Sequence, residues 1–374
     1  MLKRITKVFY FAVFILCMSG FSCISRPGKD VALQRMKFNR SFSKNGLGLI
    51  YKDGAWGYID KTGRIVIPAT FALASDFSDG LAPVKKKSKR DAVGYIDAKG
   101  NYAIEPKFLS SGLFREGLAI FSILDDQTFL RGYIDKTGYK YITARYERLS
   151  PFVDGIAAYK QNGRWGYINK KGQYIIDANY DYALPFTEGL AAVKVRSKWG
   201  FIDEEGTMVI EPQYSSVQPF KEGMAAVSKF NHYGFINSSG TLILKHKYKN
   251  AKQFSNGLAA VQTYTFKWGF IDKTGTYKIP PIFDNAKSFA DDFAAVNKGD
   301  KWDYAQARLM IIKRGKWGFI DKKGKMVIDY QFDKCSSFSN GMARVKIKTD
   351  YAYITKKADV IWKESLILPV KKVE

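Results

Sequence analysis

Two histidines, His232 and His246, are the whole imidazole supply of this 374-residue chain. They occupy places that equivalent segments fill with Lys198 and Pro212, so neither a zinc site nor histidine-dependent acid–base chemistry is expected. Glu105 and Glu211, each before a proline, are the residue type a glycosidase would pair. They stand at equivalent positions of separate segments, which makes them a recurring structural choice. No serine or cysteine nucleophile motif and no phosphate-cradling glycine loop appears. A row of Asx residues (Asp60, Asp97, Asp135, Asn169, Asp203, Asn237, Asp272, Asp321) invites a calcium reading. Calcium takes roughly six to eight oxygens, no second ligand recurs at fixed spacing, and Asn stands in twice. The expectation is therefore a protein without catalytic residues, metal or cofactor.

Binding chemistry is better represented. Lys85, Lys86, Lys87, Lys89 and Arg90 form a dense cationic run, and the stretch from Asn297 to Lys316 holds Trp302, Tyr304, Arg308, Lys313 and Arg314. Cationic and aromatic side chains on variable loops are what a binding surface uses, and these ten are the candidate ligand-binding residues. Net charge is +25, or +22 without Lys3, Arg4 and Lys7. Such a surplus favours an anionic partner through attraction that salt weakens. No nucleic-acid-binding motif is present, so the expected partners are an envelope polyanion, a glycan or an acidic protein.

The elements that must position these residues come from a repeat. One site is filled in turn by Trp56, Val93, Arg131, Trp165, Trp199, Tyr233, Trp268, Trp317 and, weakly, Tyr351. In the first eight copies an aromatic residue lies 15 positions later, as Tyr214 does after Trp199, and a Phe lies 6 beyond that, as Phe220 does. Such a period marks an array whose units bury their apolar faces against their neighbours. Within a unit, Gly189-Leu190-Ala191-Ala192-Val193 reads as a buried strand opened by a glycine turn, and Trp199 to Ile202 as a second strand. Gly200, between two bulky neighbours, suits packing at close range. Asp203 with Gly206 then reads as a tight hairpin into a third strand, Met208-Val209-Ile210. The glycine of that hairpin is expected to need its positive φ more than Gly163, which lies in a variable loop.

Lys198-Trp199-Gly200-Phe201-Ile202-Asp203, Gly206 and the later Gly-Leu-Ala-Ala-Val resemble the WG repeat family, also called KWG repeats, of bacterial proteins. The resemblance covers roughly residues 42 to 362. It implies repeated β-structure and frequent export to the cell envelope; it brings no catalytic residues and no agreed ligand. Val93, Arg131 and Tyr351 at the Trp site, and Asp292 at the strand-opening Gly site, depart from the pattern and imply looser packing there.

The fold expected is all-β, an open stack of about nine short units, with a closed β-propeller as the alternative. Nine exceeds the usual four to eight blades of a propeller, and the degenerate ends look like caps. Residues 1–22, a basic start followed by an apolar run, read as a secretory signal. Cys23 after Ser22 resembles a lipoprotein processing site, which would tether the chain to a membrane of the bacterial cell envelope. Residues 23–41 read as tether and cap, 42–362 as the array, and 363–374 as a C-terminal tail. With Cys17 and Cys23 so assigned, Cys335 reads as a small apolar core residue. Segment length varies mainly before the Trp site. From the strand-opening position to that site the spacing is 10 residues in five units but 25 from Asp292 to Trp317. In repeat arrays such insertions cluster on one face, often the binding face.

Overall fold

The computed structural model describes residues 42–86, 92–305 and 308–364, with side chains outside 301–313. The expected signal, Cys23 and tether, the candidates Lys87, Lys89 and Arg90, and most of the tail lie outside the described residues.

The described elements are all strands. They form one six-stranded sheet, seven four-stranded sheets and a two-stranded ribbon. The six-stranded sheet is two consecutive units joined by the long strand Ile65–Ala74, so nine units follow one another among the described residues. Unit 6 shows the plan: Ser216–Val217, Ala225–Lys229, His232–Ile236 and Leu242–Tyr248, each antiparallel to the next. The 15-residue spacing is a cross-strand pair, because Trp199 sits opposite Tyr214 and Trp268 opposite Phe283. The Asx-Gly hairpins form as expected: the Asp203 carboxylate accepts the Thr207 N–H at 2.7 Å, and Gly206 has φ +86°.

Alternation in the third strand serves two neighbours at once. Phe201 packs with Val217 and Phe220 of the following unit, while Ile202 packs with Tyr167 and Ile176 of the preceding one. Gly200, just before them, has a different task. The fourth strand crosses over it, and a Cβ there would lie 2.4 Å from the Ile210 carbonyl oxygen. Seven further units repeat this contact, for example Gly132 at 2.3 Å from Ile142 O and Gly318 at 2.6 Å from Ile328 O.

The units close into a ring, which corrects the open stack. Each unit's third-strand aromatic packs on the Phe of the next unit, from Tyr58–Phe77 at 4.9 Å to Phe319–Phe338 at 4.8 Å; the last pair is Tyr353–Phe42 at 5.0 Å, joining unit 9 to unit 1. Each hairpin glycine similarly faces an aliphatic residue of the preceding unit, as Gly206 faces Ile176. Gly63 of unit 1 faces Ile361 of unit 9. The Tyr353 hydroxyl donates to Leu49 O at 2.9 Å, and Asn340 Nδ2 donates to Phe42 O at 2.7 Å. The end units deviate because they meet each other: they are the two sides of a seam in a β-propeller. At that seam Arg344 fills the place of Ala226, Ala260 and Ala295, and its guanidinium lies 4.5 Å over the Tyr351 ring. Tyr351 is therefore buried, not loosely packed.

Candidate binding face

The two ends of the ring are built differently. At one end lie the Asx-Gly hairpins and the turns that lead from the first to the second strand of each unit. These turns are two-residue turns with both φ positive, as at Glu222 (57°) and Gly223 (79°). They are linked from unit to unit by carboxylates. Glu116 accepts the N–H groups of Asp154 and Gly155 at 2.6 and 3.1 Å, and Glu188 those of Glu222 and Gly223 at 2.7 and 2.9 Å. Glu222 in turn accepts Gly257 N–H at 3.0 Å, and Asp291 accepts Gly341 N–H at 2.8 Å. No fixed spacing in the sequence reports this circuit. Its signal is an Asp, Glu or Asn directly before each strand-opening glycine.

For Glu116, burial works to raise the carboxyl pKa, but the Lys170 ammonium at 2.9 Å and the two N–H donors outweigh it and hold the pKa below 4.5. Lysines serve the same joining role elsewhere. Lys252 donates to Ala286 O of the next unit and Lys287 to Cys335 O. Burial, reinforced by the Lys287 charge, brings the Lys252 pKa down to about 8. Cys335 is buried, and burial pushes its thiol up to about 12.

The other end carries the hairpins between second and third strands, where unit length varies. In unit 8 the expected loop is an ordered ribbon: Lys301–Ala305 pairs with Arg308–Lys313, placing Tyr304 opposite Leu309 and Ala305 opposite Arg308. Trp302 lies on the first ribbon strand, Lys313 ends the second, and Arg314 follows it, exposed. The ribbon's base is fixed by Asp284, whose carboxylate accepts Gly299 and Asp300 N–H at 2.6 and 3.0 Å. Lys85 and Lys86 end the second strand of unit 2, with Lys86 Nζ 4.9 Å from the Tyr102 ring centre. Both candidate groups thus belong to the same end of the ring, but units 9 and 1 separate them.

Exposed aromatic residues that the sequence reading passed over stand on this end as well. Phe230 is 83% exposed at the tip of the unit 6 hairpin, and Tyr264 is 50% exposed in unit 7. His232 Nδ1 lies 2.5 Å from the Tyr264 hydroxyl, and His246 Nδ1 lies 3.2 Å from His232 O. Burial lowers the His246 pKa. Both histidines are thus engaged with their own and neighbouring hairpins. Glu105 and Glu211 lie on fourth strands of units 2 and 5 and do not converge.

Eight stretches match the repeat described as "WG containing repeat": 56–89, 94–125, 132–165, 165–199, 199–231, 233–263, 268–302 and 317–348. Each begins at the third strand of one unit and runs into the next, so eight matches tie nine units together. No curated protein matches the chain. Among solved structures it is similar to the computationally designed Ika8 protein, at 11% identity over 75% of this chain and 93% of that one, with TM-score 0.45. It is also similar to BamB from Moraxella catarrhalis, at 11% identity over 70% and 91% of the two chains, with TM-score 0.43. A third is Hsv2 from Kluyveromyces lactis, at 11% identity over 63% and 95%, with TM-score 0.38. With matched repeats running from residue 56 to residue 348, the chain belongs to the WG repeat family.

Proposed function

We propose that this propeller is a non-catalytic binding scaffold of the cell envelope that engages an anionic partner through the end bearing its variable hairpins. The observation that supports this reading is the contrast between the ends. Turns of constant length, cross-linked by carboxylates, occupy one, while the inserted ribbon, Lys85 and Lys86 and the exposed aromatic residues belong to hairpins of the other. A rigid ring that varies only at one rim is how repeat proteins present a binding surface. The chain's positive charge supplies the attraction, and salt screens it.

The test is capture of the purified chain by acidic polysaccharide, anionic vesicles and envelope protein, at low and high salt. Salt-sensitive capture is expected; absence of capture by all three would sink the reading. The ribbon offers a clean variant, because a Cβ on Gly299 would lie only 3.5 Å from Gly315 Cα. Deleting residues 300–314 leaves Lys298-Gly299-Gly315-Lys316, a two-residue Gly-Gly hairpin of the length found in unit 9. The variant is expected to melt within a few degrees of the parent and to bind at least about tenfold more weakly, a loss of about 1.4 kcal/mol. Unfolding instead would make the ribbon part of the core. A glycan-binding module is the second reading, favoured by the exposed Phe230 and Tyr264 rings; its capture would resist salt.

A further inference from the structure

The links between successive units differ in charge: those into units 2, 3, 6 and 7 carry Ala72, Leu109, Ser215 and Lys249 where the other four carry an acid. Directly after the aromatic that pairs with the Trp site, four units carry an acid that steadies a hairpin of the variable end. Glu147 accepts Gly163 N–H at 3.0 Å, Asp181 pairs with Arg164, Asp284 pairs with Lys267, and Asp333 accepts Lys348 N–H at 2.6 Å. The corresponding residues leading into units 6 and 7 are Ser215 and Lys249. The hairpins concerned, 229–232 and 262–267, contain no acid of their own. Lys267 is neutralised by Asp284 of unit 8; Lys229 and Lys249 have no such partner nearby in sequence or across the hairpin.

On these two hairpins stand exposed aromatic rings. Phe230 occupies the first position of a two-residue turn at φ 51°, followed by Asn231 at 63°. Equivalent turns use Asp53-Gly54 and Asn162-Gly163, residue types suited to that region, or the polar Arg196-Ser197. A bulky residue there is a backbone outlier with a conformational cost, and this ring recovers no packing, being 83% exposed. Beside it, Tyr264 rests on His232 with ring centres 5.2 Å apart, and Lys249 Nζ lies 3.4 Å over the Phe266 ring.

We propose that the paired hairpins 229–232 and 262–267 dock onto an anionic lipid bilayer, Phe230 entering the interface with Tyr264 and Phe266 beside it, and Lys229 and Lys249 meeting lipid phosphates. An apolar ring projecting from a turn tip beside lysines suits the headgroup boundary of an anionic bilayer. The inference names the anionic partner of the proposed function and rests on that reading.

A local readout is required, since the apolar run from Val8 to Phe21 would itself carry the chain to any bilayer. Hydrogen exchange of the full chain is measured with vesicles of phosphatidylcholine containing about 30 mol% phosphatidylglycerol, and with phosphatidylcholine alone. Amides of 229–232 and 262–267 are expected to slow severalfold on the anionic vesicles, to lose that protection in high salt, and to show none on neutral vesicles. The hairpin 203–206, at the opposite end, is expected to be unchanged. Phe230→Asn keeps the fold, because Asn accepts a positive φ, so its melting temperature should equal or exceed the parent's while the protection falls. Protection that is equal at both ends, or untouched by Phe230→Asn, overturns the proposal. Capture of acidic polysaccharide or envelope protein without hairpin protection on vesicles overturns it and leaves the proposed function standing; capture by none of the three removes both.

Discussion

Gly200 is required by what passes over it. It has no positive φ, so its lack of a side chain answers to the Ile210 carbonyl, which would sit 2.4 Å from a Cβ. Gly189 is the converse case, with φ +78° and nothing within 4 Å of a Cβ. Gly200→Ala is therefore expected to cost about 3 kcal/mol or more, through displacement of a whole strand, and Gly189→Ala about 1 kcal/mol through backbone conformation alone. Thermal melts of the two variants decide it; equal shifts would refute the crossing. The contrast expected between Gly206 and Gly163 is weaker than it looks in sequence, because Gly163 also has a positive φ, +75°. What distinguishes Gly206 is Ile176, 3.2 Å from its Cβ position.

At the level of strands and turns, the carboxylate circuit makes one rim sensitive to acid. The Glu116 pKa in the folded chain lies below 4.5, so the stability it contributes is present above that value and is lost as pH falls through the folded pKa. Its carboxylate is partly exposed, which limits the contribution to about 1 kcal/mol. Glu116→Gln should lower the melting temperature at pH 7 and converge with the parent under acid; a pH-independent difference would mean the charge is irrelevant. Much of this architecture was legible. The 15-residue spacing is a cross-strand pair, and Asp203 with Gly206 makes the hairpin that turn chemistry dictates. Close packing at Gly200 was legible, but not that the group approaching it is the Ile210 carbonyl of the fourth strand. Nor was the circuit, because Glu188 and Glu222 act between units while their spacing merely repeats the period. At the candidate site, the length variation singled out hairpins that all lie at one end of the ring. The aromatic cluster was missed because Phe230 and Tyr264 belong to short hairpins, not to the long insertions.

For the whole molecule, closure is the property that local patterns could not report. It depends on the angle between successive units accumulated over nine junctions, and degenerate ends fit a cap and a seam equally well. Phe42 is the residue on which the seam turns, buried against Tyr353 with its carbonyl accepting from Asn340. Phe42→Ala should cost about 3–5 kcal/mol locally. Amides of 48–52 and 360–363 should then exchange faster while those of units 4 to 6 stay protected. Uniform acceleration throughout would show that the seam is no weaker than any other junction.

Joining the ends also changes how the molecule bears load. In a linear stack the junctions are in series, and breaking one divides the body in two. In this ring, rupture of any single junction leaves every unit attached through the path around the other side. A pull transmitted through the chain that enters at Phe42 falls first on Tyr353 and Asn340, the contacts that hold the two ends together. The seam can therefore part and re-form while the remaining junctions keep their partners, and the variable rim stays on a continuous scaffold throughout.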